Sequence, residues 1–243
     1  MPQEGRIADA SRDFTVEDSP FGRIVVAPKA ALFYTTRDFD GRLNESVAAR
    51  LTGFIRERFG IETSLNTCVQ VHGVAVGTAS TVKRWQECDS CDALWSAQRG
   101  VALGIKVADC LPVAVLDRGN DIAANIHSGW RGAAQNIVGE TLDVIERSSA
   151  FSARNADAWL GPSIRVCCFE VGEEVAERFD ARFVDRSYAK PHVDLAAYTI
   201  DVLRKRGIER IHDSQLCTRC EGSIFHSFRR DGSGGRNLAI VAH

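Results

Sequence analysis

Two histidines and one cysteine stand in settings that could do chemistry. His72 lies in Gln70-Val71-His72-Gly73, Cys110 in Ala108-Asp109-Cys110-Leu111-Pro112, and His127 in His127-Ser128-Gly129-Trp130-Arg131-Gly132. Each puts a borderline or soft ligand in or beside an apolar run, next to small or turn-forming residues. Converging strand ends would bring the three together. Two imidazoles and a thiolate suit Zn²⁺, with a fourth position open for water or substrate. The gaps between them form no compact ligand motif, and a histidine taken singly is more often a satisfied core residue than a ligand.

The chain holds eight cysteines and six histidines. In a reducing compartment, cysteines at regular spacing point to metal or catalysis more than to disulfides. Cys88-x-x-Cys91 and Cys217-x-x-Cys220 form two C-x-x-C pairs. They could share a structural zinc if distant loops met; otherwise they are ordinary or redox-active thiols. Cys167 and Cys168 read as buried small hydrophobes.

The elements around these residues are legible from pattern. Residues 1–20 read as a loose arm. RIVVAP and ALFYTT follow as strands rich in β-branched and aromatic residues. Asn44 is placed to cap a helix over 45–59, with Val47, Ala48, Leu51, Phe54 and Ile55 at helical spacing and Gly60 closing it. CVQVHGVAV reads as a strand that carries His72. VALGIKVADCLPVAVLD reads as one or two buried strands around Cys110, and DIAANIHSG as a strand ending at His127. One helix is expected after Gly132, with Ala133, Ala134, Ile137, Val138, Leu142 and Ile145 on a single face. A strand near 158–161, a short helix near 173–179, a helix near 195–206 and a strand near 208–212 come next. SIFHSFRR and RNLAIVAH read as two strands around a Gly-rich turn. Strands and helices intermingle, with no repeat and no linker. The expected fold class is mixed α/β, a single domain over residues 21–243.

Composition sets the outer limits. The 243 residues carry 30 Lys+Arg against 32 Asp+Glu, and 44% are hydrophobic. That balance lacks the basic footprint of a duplex-binding protein. No apolar run approaches the ~18 residues needed to span a bilayer. The polar N-terminus has no signal-peptide core, so a cytoplasmic protein is expected. There is no G-x-G-x-x-G after a strand and no P-loop.

In collinear order the chain shows VQVHG, CDAL, VADCLPV, HSGWRG, GPSIRVCCFEVG, HVDL, LCT and FHSFRRDGSGGR. This series resembles the multicopper polyphenol oxidase or laccase-domain family, whose members are purine nucleoside phosphorylases. Some relatives are described as peptidoglycan editing factors. The likeness runs from about Gly22 to His243. Ser128, the His226-Ser227-Phe228 segment and the Ser233-Gly234-Gly235 turn depart from the usual pattern. The resemblance implies mixed sheets flanked by helices, in a cysteine-hydrolase-like fold. It places the family's zinc ligands at His72, Cys110 and His127. Copper oxidation fits poorly, because a mononuclear and a trinuclear copper site together need more histidines than the six present.

The resemblance also implies purine nucleosides and phosphate as substrates, with deamination of adenosine as a side activity. For deamination, zinc would lower the pKa of a bound water, and Asp109 could move the protons. For phosphorolysis, Arg131 at a helix start and Arg229, Arg230 and Arg236 near the C-terminal turn are candidates to hold phosphate. Gln70, sharing a strand face with His72, could read the base or hold a water. A different reaction class stays open, in which Cys110 with His72 or His127 is a cysteine-hydrolase pair acting on a cell-wall precursor.

Overall fold

In a computed structural model, residues 14–232 and 234–243 are described, and they build two sheets packed face to face. The first contains β1 (Thr15–Ser19), β2 (Gly22–Val26), β3 (Ala31–Thr35), β4 (Ser64–Cys68), β6 (Trp85–Cys88), β8 (Val101–Val107) and β15 (Asn237–Ala242). Its order is β1-β2-β3-β15-β8-β4-β6. Neighbours from β1 through β8 are antiparallel, while β4 runs parallel to both β8 and β6. The second sheet contains β5 (Val76–Thr78), β7 (Ala93–Ser96), β9 (Leu111–Asp117), β10 (Ile122–Ser128), β11 (Ala156–Leu160) and β14 (Arg210–Asp213). Its order is β14-β11-β9-β10-β7-β5, antiparallel in the middle and parallel at both edges. A small ribbon pairs β12 (Val184–Asp185) with β13 (His192–Val193).

Side-chain alternation along the strands sorts the core into layers. Leu103, Ile105, Ala239 and Val241 of the first sheet face Ala114, Leu116 and Ala123 of the second. On the outer face of the first sheet, Leu65, Leu238 and Ile240 meet Leu51, Phe54 and Ile55 of α1 (Glu45–Phe59). On the outer face of the second, Val113, Val115 and Ile126 meet Ile137, Leu142 and Ile145 of α3 (Ile137–Ser148) and Leu203 of α5 (Leu195–Lys205). The result is helix, sheet, sheet, helix. Short helices α2 (Trp130–Ala134), α4 (Glu173–Ala176) and α6 (Phe228–Asp231) sit at one end. No helix among the described residues is long and apolar enough to cross a membrane.

Local signals acted as read at α1. The Asn44 side chain accepts from the Val47 N–H, and Gly60 closes the helix at φ 72. Elsewhere tertiary demands altered the elements. The expected arm lies outside the described residues up to residue 13, but Thr15–Ser19 is a strand paired with β2. The strand expected to carry His72 ends at Cys68. The helix expected after Gly132 breaks at Asn136, which takes a left-handed φ of 63, so α2 and α3 are separate. Asparagine tolerates that conformation, and Gly139 leaves room for its side chain, where a Cβ would lie 2.2 Å from Asn136 Nδ2. The first half of the C-terminal hairpin is instead α6, capped by the Ser227 side chain accepting from the Arg230 N–H.

Candidate metal centre

The three metal-type residues arrive from different parts of the sandwich. His127 is next to last in β10, on the same face of the strand as Ala123 and Asn125, which is turned toward the first sheet. Cys110 sits in the turn that carries the chain from β8 in the first sheet to β9 in the second. His72 lies on the crossing from β4 to β5, again between sheets. Their ligand atoms lie within 4.8 Å of one another. The Cys110 Sγ is 3.9 Å from His72 Nε2, and the two imidazoles meet edge to face at 4.8 Å between centroids.

Asp92 organises this cluster. It is fully buried, immediately before β7. Its carboxylate accepts the backbone N–H groups of Val71 (3.2 Å), His72 (2.9 Å) and Gly73 (2.7 Å). These N–H groups serve the carboxylate instead of a strand ladder, which is why the β4 strand stops early and His72 adopts a φ of 61. The same carboxylate lies 2.8 Å from His127 Nδ1 and so turns Nε2 toward Cys110. A ligand histidine held by a buried carboxylate is the arrangement that fixes tautomer and ring direction at metal sites. Gly129 completes the fit, since a Cβ there would lie 3.0 Å from the Cys110 Sγ and 3.1 Å from His72 Cδ2.

The electrostatics follow from the same contacts. Burial opposes ionisation of Asp92, but His127 and the N–H groups of Gly73 and His72 hold it below its ordinary value. Burial likewise disfavours a Cys110 thiolate, yet His127 and His72 outweigh it and bring the thiol down to about 6. His127 is also opposed by burial, and Asp92 and Cys110 lift it to about 9. Soft and borderline donors, a thiol poised to ionise and an oriented imidazole together fit a Zn²⁺-type ion.

The other expected residues have distinct settings. Both carboxylate oxygens of Asp109 are committed, one to the Thr218 hydroxyl (2.6 Å) and one to the Arg229 N–H (2.6 Å). They brace the turn carrying Cys110. Gln70 is not on a strand face with His72. Its amide is held at both ends by the Lys106 backbone, donating to the carbonyl at 2.8 Å and accepting the N–H at 2.9 Å. Arg230 is consumed by Asp231 and by the Thr218, Arg219 and Phe225 carbonyls. Arg236 donates to the Gly234 and Gly235 carbonyls and lines a separate cavity with Asp40 and Arg42.

Two arginines remain near the cluster. Exposed Arg131 lies over the Trp130 ring at 4.3 Å. Arg229 donates to the Glu170 carbonyl and lies 5.5 Å from the Phe169 ring. Trp130, Phe169, Lys190 and Arg229 line a cavity of about 400 Å³. It adjoins the cluster through Trp130, three residues past His127, and through the Arg229–Asp109 bond. A larger cavity of about 730 Å³ lies at the opposite end of β8 and β10, where none of the metal-type residues falls.

The cysteines regroup. Cys217 and Cys220 stand with Cys167 and Cys168, and not with Cys88 and Cys91. Cys88 and Cys91 close over Gly77, where a Cβ would lie 2.7 and 2.9 Å from their sulfurs. Asp92, bonded to His127, and Thr218, bonded to Asp109, are the supports of the cluster that the sequence left unassigned. Asp92 sits within the CDAL segment, and Thr218 within LCT.

The profile of the family described as multi-copper polyphenol oxidoreductase laccase matches residues 41–243. The chain belongs to this family. A purine nucleoside phosphorylase of Pseudomonas aeruginosa is 32% identical, over 99% of this chain and 94% of its own length. An adenosine deaminase, RL5, from an unknown prokaryotic organism is 36% identical over 62% of this chain and 61% of its own length. Among solved structures, the laccase-family chain superimposes on the hypothetical protein YfiH of Bacillus licheniformis with a TM-score of 0.80 at 20% identity. That match covers 94% of this chain and 99% of the other. YlmD of Geobacillus stearothermophilus gives 0.78 at 21% identity, covering 94% and 98%. These structural likenesses establish the mixed two-sheet fold.

Proposed function

We propose that this chain is a zinc-dependent purine nucleoside phosphorylase acting on adenosine, inosine and guanosine, with methylthioadenosine as a further substrate and deamination of adenosine as a side activity. The observation that carries this reading is the cluster of His72, Cys110 and His127 oriented by buried Asp92. The phosphorylase name of a relative aligned over nearly its whole length supports it.

His72, Cys110 and His127 would hold the zinc, which would supply Lewis-acid polarisation of a substrate oxygen when bound. Asp92 fixes the direction of His127 and the loop of His72. Asp109 positions the Cys110 turn through Thr218 and Arg229. Arg229, with Arg131 nearby, offers positive charge to a phosphate dianion at the adjoining cavity, where Lys190 is paired with Glu170. Trp130 and Phe169 offer apolar wall to a base. In phosphorolysis a phosphate oxygen bonds to the anomeric carbon as the bond to the base nitrogen breaks. The base leaves with that electron pair and takes up a proton.

The test is phosphate-dependent release of base from adenosine and inosine, using metal-analysed protein with and without chelator. Release should require phosphate, disappear on chelation and return with zinc. His72→Ala should abolish it, and full turnover by that variant would overturn the reading. One observation favours a second reading. Cys110 lowered to about 6 beside two imidazoles is also a nucleophile's setting, suited to a cysteine hydrolase acting on a cell-wall precursor. One sulfur cannot be both a tight zinc ligand and a free nucleophile. Acyl transfer by the chelated protein, inhibited by added zinc, would favour the hydrolase.

A further inference from the structure

We infer that Cys167, Cys168, Cys217 and Cys220 form a second, structural zinc site of four thiolates, separate from the cluster of His72, Cys110 and His127. The fold itself brings the two pairs together. β11 and β14 are parallel neighbours, in register at Leu160 and Asp213. The segments that follow them stay side by side, the Ser163 N–H donating to the Leu216 carbonyl and the Thr218 N–H to the Ser163 carbonyl. Each segment then folds into a turn carrying two cysteines. In the first, the N–H groups of Cys168 and Phe169 donate to the Arg165 carbonyl; in the second, the Glu221 N–H donates to the Cys217 carbonyl.

The sulfur spacing is that of a metal site and not of a disulfide. Cys220 Sγ is 3.4 Å from that of Cys168 and 3.8 Å from that of Cys167. All four sulfurs lie within 4.8 Å of one another. A disulfide would need about 2.05 Å. Four sulfurs placed tetrahedrally around zinc at about 2.3 Å stand about 3.8 Å apart.

Arg230, paired with Asp231, grips the second turn through the Thr218 and Arg219 carbonyls. Four soft ligands in a closed set, with no nitrogen or oxygen donor among them, indicate a structural ion.

The site would act on the first centre by position. Thr218 follows Cys217 directly and donates to Asp109, the neighbour of Cys110. Clamping the two turns therefore holds the brace behind the Cys110 turn.

The experiment uses the full chain carrying His72→Ala and His127→Ala, so that zinc bound elsewhere is removed, with metal content and zinc X-ray absorption as readouts. One zinc per chain with four sulfurs at about 2.3 Å is expected. Adding Cys167→Ser or Cys220→Ser, both at exposed positions, should reduce zinc to the buffer background while far-ultraviolet circular dichroism is kept. Cadmium NMR of the wild-type chain guards against a double variant that fails to fold. A tetrathiolate resonance, distinct from any mixed nitrogen–sulfur signal, is expected there. Absent zinc, iron in its place, nitrogen or oxygen in the coordination sphere, a disulfide under native conditions, or zinc retained by Cys220→Ser would each overturn the assignment.

Discussion

At the residue scale, Asp92 decides the geometry of the candidate centre. One carboxylate satisfies three backbone N–H groups around His72 and fixes the His127 ring. Asp92→Asn keeps the shape but puts an amide donor among donors and removes the charge. Zinc affinity, measured by chelator competition, should fall about 10–100-fold, the range seen when the outer partner of a ligand histidine is lost. Unchanged affinity would mean that Asp92 serves only the loop. Cys110 allows a pH test. Its thiol is lowered to about 6, so the thiolate is present above that pH and lost below it. In chelated protein, alkylation of Cys110 followed by peptide mass analysis should rise with a midpoint near pH 6, and zinc should block it. A midpoint near the ordinary thiol value would show that the imidazoles do not stabilise the thiolate.

At the element scale, the helices matter as covers that fix where strand ends fall. α3 lays Ile137, Leu142 and Ile145 on the outer face of β9, which starts just after Cys110, and of β10, which carries His127 next to its end. Leu142 is completely buried. Leu142→Ala should cost about 2–5 kcal/mol, as large-to-small core changes do. Urea denaturation reads this as a lower midpoint at an unchanged slope. A loss under about 1 kcal/mol would show that α3 is not needed to press the second sheet into place. How much of each element was legible depended on how local its cause is. The caps and periodicity of α1 act within a few residues, so both ends fell as read. The segment holding His72 has strand composition, and only Asp92, reaching it from another part of the chain, turns it into a loop. The RR segment has strand neighbours too, but Ser227 caps it as a turn of helix.

At the scale of the whole molecule, the candidate centre is a seam. Two of its three candidate ligands lie on crossings between the sheets, and the third is next to last in a strand of the second sheet. An ion there ties both layers at one end. Zinc at 100 times its Kd should stabilise the native state by about 2.7 kcal/mol, or roughly 5–10 °C in Tm for a chain of this size. The difference between the zinc-dependent Tm shifts of the wild type and His72→Ala should have that magnitude. Equal shifts would place the stabilising ion elsewhere.

By itself the sequence determined the candidate ligand types, their order, the mixed α/β class and the local punctuation of α1. These rest on side-chain chemistry and on backbone preferences that act over a few residues. Only the tertiary structure decided which partners meet. It joined Cys217 and Cys220 to Cys167 and Cys168, because β11 and β14 pair in parallel and deliver their turns side by side. It tied Gln70 to Lys106 and consumed Arg230 in carbonyls and Asp231, while leaving Arg229 on the cavity beside the cluster. It also placed Asp92 among four donors. Strand order sets each of these encounters, and strand order follows from how the whole apolar surface is buried.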